Sequence, residues 1–515
     1  MPDFFLFVTA AVILCALAVR WRRTSALLPP GPKPWPLIGN ILDMPTVRPW
    51  ETYRAWCKQY ESDVIYVNIP TQPTIILGSV KAAIGLLEKR SEIYSGRSVP
   101  MMLELMGWDF NFGFMTYTPR WRAHRRMFHQ LFHSGVVERY RPVQLSEARK
   151  FLSWILISPE HTRKHVRLML TSIILELAFG RKITGLDDEY VHIAEVAGEA
   201  LNVSIIPGAF WVEYFPWLKY VPSWVPGNLS MKTVERYKPY VALTRNKAFD
   251  QVQAAMEEGN PPACLATELL EENRAKYAGT PAHAAFDEVA KNIISVAYHV
   301  AADTTTSSCE AFLVAMAMYP DIQRKAQAEL DRIVGPDRLP EFDDLPHMPY
   351  LRAVVMETGR WMPVVPFGLP HRVIQEDTYN GYRIPEGTMI IPNAWSMLHD
   401  PETYPEPERF HPDRFLNADG TINTNVRDPA TIAFGFGRRI CPGRHFSDNA
   451  LSIFIASVLH VFEITPGFDK AGRPVKLSSE IVGGLVSTPE NVPCGLKPRS
   501  EQAAQLIRKD GAESK

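Results

Sequence analysis

Phe434-Gly-Phe-Gly-Arg-Arg-Ile-Cys-Pro-Gly-Arg-His-Phe446 is the stretch of this chain on which the reading of the fold turns. A cysteine that serves as a metal ligand must be ionised and yet sheltered from water. A tight loop achieves both by aiming backbone N–H groups at the sulfur. Gly437 and Gly443 permit such a turn and a close backbone approach to a flat cofactor. Arg444 to Val461 has helical periodicity, so Cys441 stands before a helix N-terminus, whose positive potential favours an anion. Phe434 is placed to cover the sulfur, and Arg439 to reach an anionic group at the cofactor edge. The bland alternative, a buried cysteine in a glycine- and arginine-rich turn, has no need of all these residues together.

The segment resembles the haem-binding loop of the cytochrome P-450 family, F-x-x-G-x-R-x-C-x-G. Phe434, Gly437, Arg439, Cys441 and Gly443 fill its fixed positions. Four further segments are similar to that family's motifs, in its order. Glu357-Thr-Gly-Arg360 looks like the E-x-x-R of the helix behind the haem; at i, i+3 its two charges share a helical face. The family closes this pair with an arginine from P-x-R-F. Both Pro407-Glu-Arg409-Phe410 and Pro412-Asp-Arg414-Phe415 fit, and spacing favours Arg414 as the third member of a structural triad. Trp121-Arg-Ala-His-Arg125 resembles W-x-x-x-R, whose tryptophan and arginine bind a haem propionate; a guanidinium suits a carboxylate because it donates two parallel hydrogen bonds. His371 falls where the family often places another propionate partner. Ala301-Ala-Asp-Thr-Thr305 resembles the oxygen-activating A-G-x-D-T-T. Here Val300 and Ala301 replace the usual Ala and Gly, adding methyl groups beside the expected oxygen site. Asp303 and Thr304 keep the acid and the alcohol.

Outward from these motifs, helical periodicity dominates, near residues 79–91, 117–134, 164–180, 189–202, 233–257, 286–319, 321–334, 346–361 and 443–461. Short β-like runs lie at 64–68, 73–77, 371–375, 388–391 and 461–465. The fold class expected is mostly α with a small β subdomain, which the resemblance makes a cytochrome P-450 fold. Phe4 to Val19 is uncharged and followed by Arg20-Trp-Arg-Arg23, so residues 1–23 read as one N-terminal membrane anchor helix. A cleaved signal peptide is the rival, but its positive charge belongs before the apolar run. Residues 24–44, rich in proline, read as a stiff hinge, 45–498 as the catalytic domain, and 499–515 as a polar, frayed tail. On this topology the sequons at Asn202 and Asn228 face the cytosol and carry no glycan.

Composition removes other classes. The balance of 55 basic and 56 acidic residues leaves no footprint for nucleic acid. Six scattered cysteines, without a C-x-x-C pair, fit a reducing compartment. The resemblance implies a haem-thiolate monooxygenase carrying heme b (iron protoporphyrin IX), at the endoplasmic reticulum membrane with its catalytic domain cytosolic. It implies Cys441 as the iron ligand, Asp303 and Thr304 as proton relays to dioxygen, and electrons from an NADPH-cytochrome reductase. Arg122, Arg126, Arg438 and Arg444 could attract that acidic flavoprotein. The substrate expected is a hydrophobic small molecule of fungal specialised metabolism. Its pocket is expected to take Met101, Met102, Met106, Trp108, Phe110, Phe112 and Phe114 from one loop, with Val364, Val365, Phe367 and Val482–Val486, and Glu104 or Asp109 to meet an amine. The rival functions are a haem-thiolate isomerase or dehydratase working without reductase, and a non-catalytic haem carrier or sensor.

Overall fold

The computed structural model describes residues 27–513, except 71, 184, 206–208, 469 and 470. The expected anchor, residues 1–23, lies outside the described residues. Among those described, no helix is long and apolar enough to cross a membrane.

The longer helices are α1 (Pro49–Gln59), α2 (Pro119–Phe132), α3 (Arg141–Ile157), α4 (Thr162–Phe179), α5 (Glu189–Ser204), α6 (Leu229–Glu257), α7 (Leu265–Tyr277), α8 (Ala282–Met318), α9 (Pro320–Ile333), α10 (Pro349–Trp361), α11 (Arg444–Val461) and α12 (Glu501–Glu513). Their starts follow local chemistry. Thr118 caps α2 through the Trp121 N–H, with Pro119 at the first helical position. Asp188 and Asn228 cap α5 and α6 in the same way. Gly180, at φ +65°, ends α4 in the left-handed region.

The 37-residue α8 is about 55 Å long at 1.5 Å per residue. Its buried face runs from Ala290 to Met316 and packs most closely on α4. Thr304 and Thr306 bond back to the carbonyls of Val300 and Ala302, at 2.9 and 2.6 Å. The threonine run is therefore absorbed into a continuous helix.

The strands are few and short. β1 (Val64–Val67), β2 (Thr74–Leu77), β3 (His371–Arg372) and, after the hairpin β4 (Asp377–Tyr379) and β5 (Tyr382–Ile384), β6 (Met389–Pro392) form one sheet in the order β1-β2-β6-β3. β2 and β6 are parallel, with Thr74 opposite Met389. β7 (Phe462–Thr465) pairs with β10 (Gly495–Pro498), and β8 (Ile481–Gly483) with β9 (Ser487–Pro489).

The proline-rich segment, read as a stiff hinge, is fixed to the body from Pro30 onward. Its carbonyls stay available because proline donates nothing: Pro30 accepts from the Tyr66 N–H at 2.9 Å, and Pro32 and Lys33 accept from the Asn40 amide. The segment Glu501–Glu513, expected as a frayed tail, is helical instead. It forms α12, which buries Ala504 and Ile507 and ties Asp510 to Arg149 at 2.6 Å. Asn202 and Asn228 are both engaged, the first accepting from the Val486 N–H.

Candidate active site

The Cys441 loop is built on two left-handed glycines. Gly435 and Gly437 have φ of +79° and +57°. A Cβ on Gly437 would stand 2.1 Å from the Leu87 carbonyl oxygen, so no other residue fits there. Gly443 is different: its φ is −90° and a Cβ would meet open space. The conformational reason expected for both glycines holds for Gly437 alone. The Cys441 N–H donates to the Phe434 carbonyl at 2.8 Å, closing the loop under α11. Burial raises the Cys441 thiol, while the Gly443 N–H, then Arg125 and Arg444, pull it down. Burial wins, so the loop by itself does not ionise the sulfur. Coordination to a metal would do so outright.

Cys441 opens on a cavity of about 360 Å³ that also reaches Trp121, Arg125, His371, Phe434, Arg439, Asp303 and Thr304. Arg97, Arg125 and Arg439 line it, together with Arg352, which is paired to Asp448. Arg439 donates to the Ser95 and Met115 carbonyls at 2.9 and 2.8 Å and stacks 4.1 Å over Trp121, yet its buried Nη1 has no partner. Burial, then the charge of Arg125, depresses its pKa to about 9. Arg97 spends its donors on the carbonyls of Gly113, Leu369 and Pro370. Burial and Arg439 push its pKa well below the usual range. His371 gives its Nδ1 hydrogen to the Tyr94 carbonyl, 2.7 Å away, and burial beside Arg97 holds the ring neutral. Its other nitrogen could donate only from the protonated ring, a state an adjacent anion would favour.

Across the cavity, Asp303 is ion-paired to Arg167 of α4 at 2.6 Å. Gly198 of α5 abuts the same carboxylate, where a Cβ would stand 2.1 Å from Asp303 Oδ2. Apolar walls come from Phe112, Phe114, Leu201, Val364, Val365 and Leu485. The loop contributes less than expected. Met102, Met106, Trp108 and Phe110 lie in the hydrophobic core, and Met101, Phe367 and Val482 do not line the cavity. Glu104 and Asp109 are exposed and outside it, so neither carboxylate meets a bound molecule there.

Behind the loop, Glu357 and Arg360 are fully buried and doubly bonded, at 2.7 and 2.9 Å. Arg414 Nε lies 3.3 Å from Glu357 Oε1, and the His411 N–H donates to the same oxygen at 2.7 Å. Arg409 instead pairs with exposed Glu406, and only its carbonyl joins the network, accepting from Arg360.

The sequence model of the cytochrome P450 family matches residues 29–491.

The chain belongs to the cytochrome P450 family.

Curated relatives agree over nearly the whole length. Cytochrome P450 monooxygenase COX2 of Coprinopsis cinerea is 39% identical, over 98% of this chain and 96% of its own. Cytochrome P450 monooxygenase ple1 of Rhodocybe pseudopiperita is 37% identical, over 98% and 95%. The tryptamine 4-monooxygenase of Psilocybe cyanescens is 36% identical, over 97% and 98%. This P450 is thus an oxidoreductase of the monooxygenase family found in fungi, and the family carries haem.

The cavity fits that group. Cationic side chains without a carboxylate in their hydrogen-bond network, one with an orphaned buried N–H, require an anion from outside the protein. A flat group bearing carboxylates and a metal facing Cys441 would satisfy both ends. Sequence reasoning missed Arg97 and Arg167. Arg97 is carried by Tyr94-Ser-Gly-Arg97, in which a Cβ on Gly96 would stand 2.5 Å from the Arg372 carbonyl oxygen. Arg167 has no signal in the sequence, because its partner lies on another helix. Replacing Arg439 by leucine is expected to weaken haem retention about tenfold or more, as one charge-assisted hydrogen bond is worth about 1.5–3 kcal/mol. The rate of haem loss to a scavenger protein measures it; an unchanged rate refutes the role.

Proposed function

We propose that this P450 is a membrane-anchored haem-thiolate monooxygenase that oxidises an apolar small molecule of specialised metabolism. Heme b would be held by Cys441 as iron ligand, with Trp121, Arg125, His371 and Arg439 at its carboxylates and Arg97 beside them. The observation that carries the reading is one cavity joining a sheltered cysteine, uncompensated cations, an acid–alcohol pair and apolar walls. Haem with a thiolate ligand supplies reductive activation of dioxygen and insertion of oxygen into a C–H bond.

The chain's own residues do the rest. Phe112, Phe114 and Leu485 exclude water and hold the substrate by apolar contact. Asp303 and Thr304, which line the same cavity, supply protons as positioned acid–base groups. Asp303 must leave or share its ion pair with Arg167 to do so. Gly443, where a Cβ would meet open space, leaves room for the cofactor's approach.

Electrons would come from an NADPH-dependent cytochrome reductase docking near Arg122, Arg126, Arg438 and Arg444. Residues 1–23 would anchor the chain in the endoplasmic reticulum membrane, and 45–498 would form the catalytic domain. Leu37, Leu42 and Val47, and Trp211, Trp217, Tyr220 and Trp224, are exposed large apolar side chains that support contact with a bilayer.

The test is co-expression with a reductase and the neighbouring biosynthetic genes, followed by product analysis under isotope-labelled dioxygen. One labelled oxygen atom in the product, dependent on NADPH, is expected. Conversion of a hydroperoxide without reductase, and without labelling, would instead make it an isomerase or dehydratase.

A further inference from the structure

Helix α8 is apolar over most of its buried length, but one stripe of it is not. Asp303, Ser307 and Glu310 stand at i, i+4 and i+7, on a single helical face. Opposite them, α4 presents Arg163 and Arg167, also one turn apart. Arg167 holds Asp303 at 2.6 Å, and Arg163 lies 3.2 Å from Glu310, so the two helices form an ion-pair ladder. The ladder runs from the cavity, which Asp303 lines, to solvent, where the Arg163 side chain is 47% exposed.

Glu310 itself is only 3% exposed at its side chain. An ion pair alone would not need the carboxylate's second oxygen, and Oε2 is buried without a partner. Ser487 Oγ, on the β9 strand that packs against α8, is likewise buried and unpartnered. Ser307 donates to the Ser487 carbonyl, and Arg163 to that of Pro489, so polar groups stand at Ser307 and Glu310 as well as at Asp303. Orphaned polar atoms spaced along such a seam are where ordered water bonds inside proteins.

We propose that Glu310 reloads Asp303 with protons from solvent along this seam. The inference rests on the reading of Asp303 as the acid of the reaction, and adds the source from which that acid is recharged. In each cycle one proton leaves the Glu310 carboxyl and passes by hydrogen-bonded water and Ser307 to the Asp303 carboxylate, about 10 Å along the helix. A proton from solvent beside Arg163 then restores Glu310. No electron moves and no bond to carbon changes.

The charged groups around Glu310 are Arg163 and Arg167 from α4 and Asp303 from its own helix; β9 adds only neutral groups. Burial pushes the Glu310 carboxyl up to about 7, against the pull of the two arginines. An acid with that value is half-charged with protons at neutrality, the condition for efficient transfer in both directions.

The experiment uses the holoprotein with its reductase and NADPH, without added organic substrate, and follows oxygen consumption against pH. The native rate is expected to fall as pH rises through about 7. Glu310→Gln, with normal haem content, is expected to be about tenfold slower and flat across that range, a smaller loss than the 10²–10⁴ of a directly positioned acid. Arg163→Gln should move the inflection to higher pH, since losing a cation favours the neutral carboxyl. In the resting protein, the infrared carbonyl band of a buried carboxylic acid should titrate with the same midpoint and vanish in Glu310→Gln. A Glu310→Gln enzyme with native rate and profile, beside a slow Asp303→Asn, overturns the relay and spares Asp303. A native rate in Asp303→Asn overturns the role of Asp303 itself.

Discussion

Cys441→Ser is expected to yield a folded chain whose reduced, carbon-monoxide-bound spectrum has lost the red-shifted band of thiolate ligation. The change replaces one sulfur by oxygen in a loop whose shape is set elsewhere. The Cys441 N–H bond to Phe434 and the left-handed turn at Gly437 belong to the backbone and survive. On the proposed reading, what is lost is the donor that pushes electron density toward oxygen cleavage. Because burial keeps the free thiol protonated, the loop supplies shelter and geometry, and ionisation waits on the metal. Monooxygenase activity should fall by several orders of magnitude with little change in thermal stability. A surviving thiolate band in the serine variant would move the ligand to another residue.

The largest stability effect is expected at Glu357. Its carboxylate accepts from Arg360 twice, from Arg414 and from the His411 N–H, with no solvent to replace any of them. Glu357→Ala leaves one fully buried guanidinium without its counter-charge and a second stripped of its main partner. Breaking a buried pair from one side costs about 3–5 kcal/mol, against a total stability of about 5–15 kcal/mol. Little soluble holoprotein should accumulate, and what does should unfold at a markedly lower temperature. Arg360→Met, which removes the cation and leaves the anion, should do nearly as much harm. Expression and melting like those of the native chain would show that the network is not structural.

Sequence reading succeeded where function and local pattern coincide. The Cys441 loop, the pair at Glu357 and Arg360, and the long α8 were legible because each is a short-range spacing. Helices α1, α3 and α7 and the terminal α12 were not. In α3 the buried face carries Gln144, whose amide donates to the Phe446 carbonyl, and Glu147, paired with Lys150, so its polar residues erase the period. In α12 a short stripe of Ala504 and Ile507 is lost among charges. The cavity walls failed for a related reason: Met102, Met106, Trp108 and Phe110 are apolar enough for a pocket, but only tertiary packing decides that they face the core. Partners on separate elements, such as Arg167 for Asp303, leave no trace in spacing at all.

Gly198 limits how this enzyme can diversify. With a methyl group there either α5 must retreat or the Asp303 carboxylate must swing from Arg167, so a single absent carbon fixes both the roof's height and the acid's seat. Filling that side would disturb the Asp303–Arg167 pair in the same mutational step. Broader or altered substrate scope is therefore open chiefly through Phe112, Val364, Val365 and Leu485, walls that can be recarved without touching the acid.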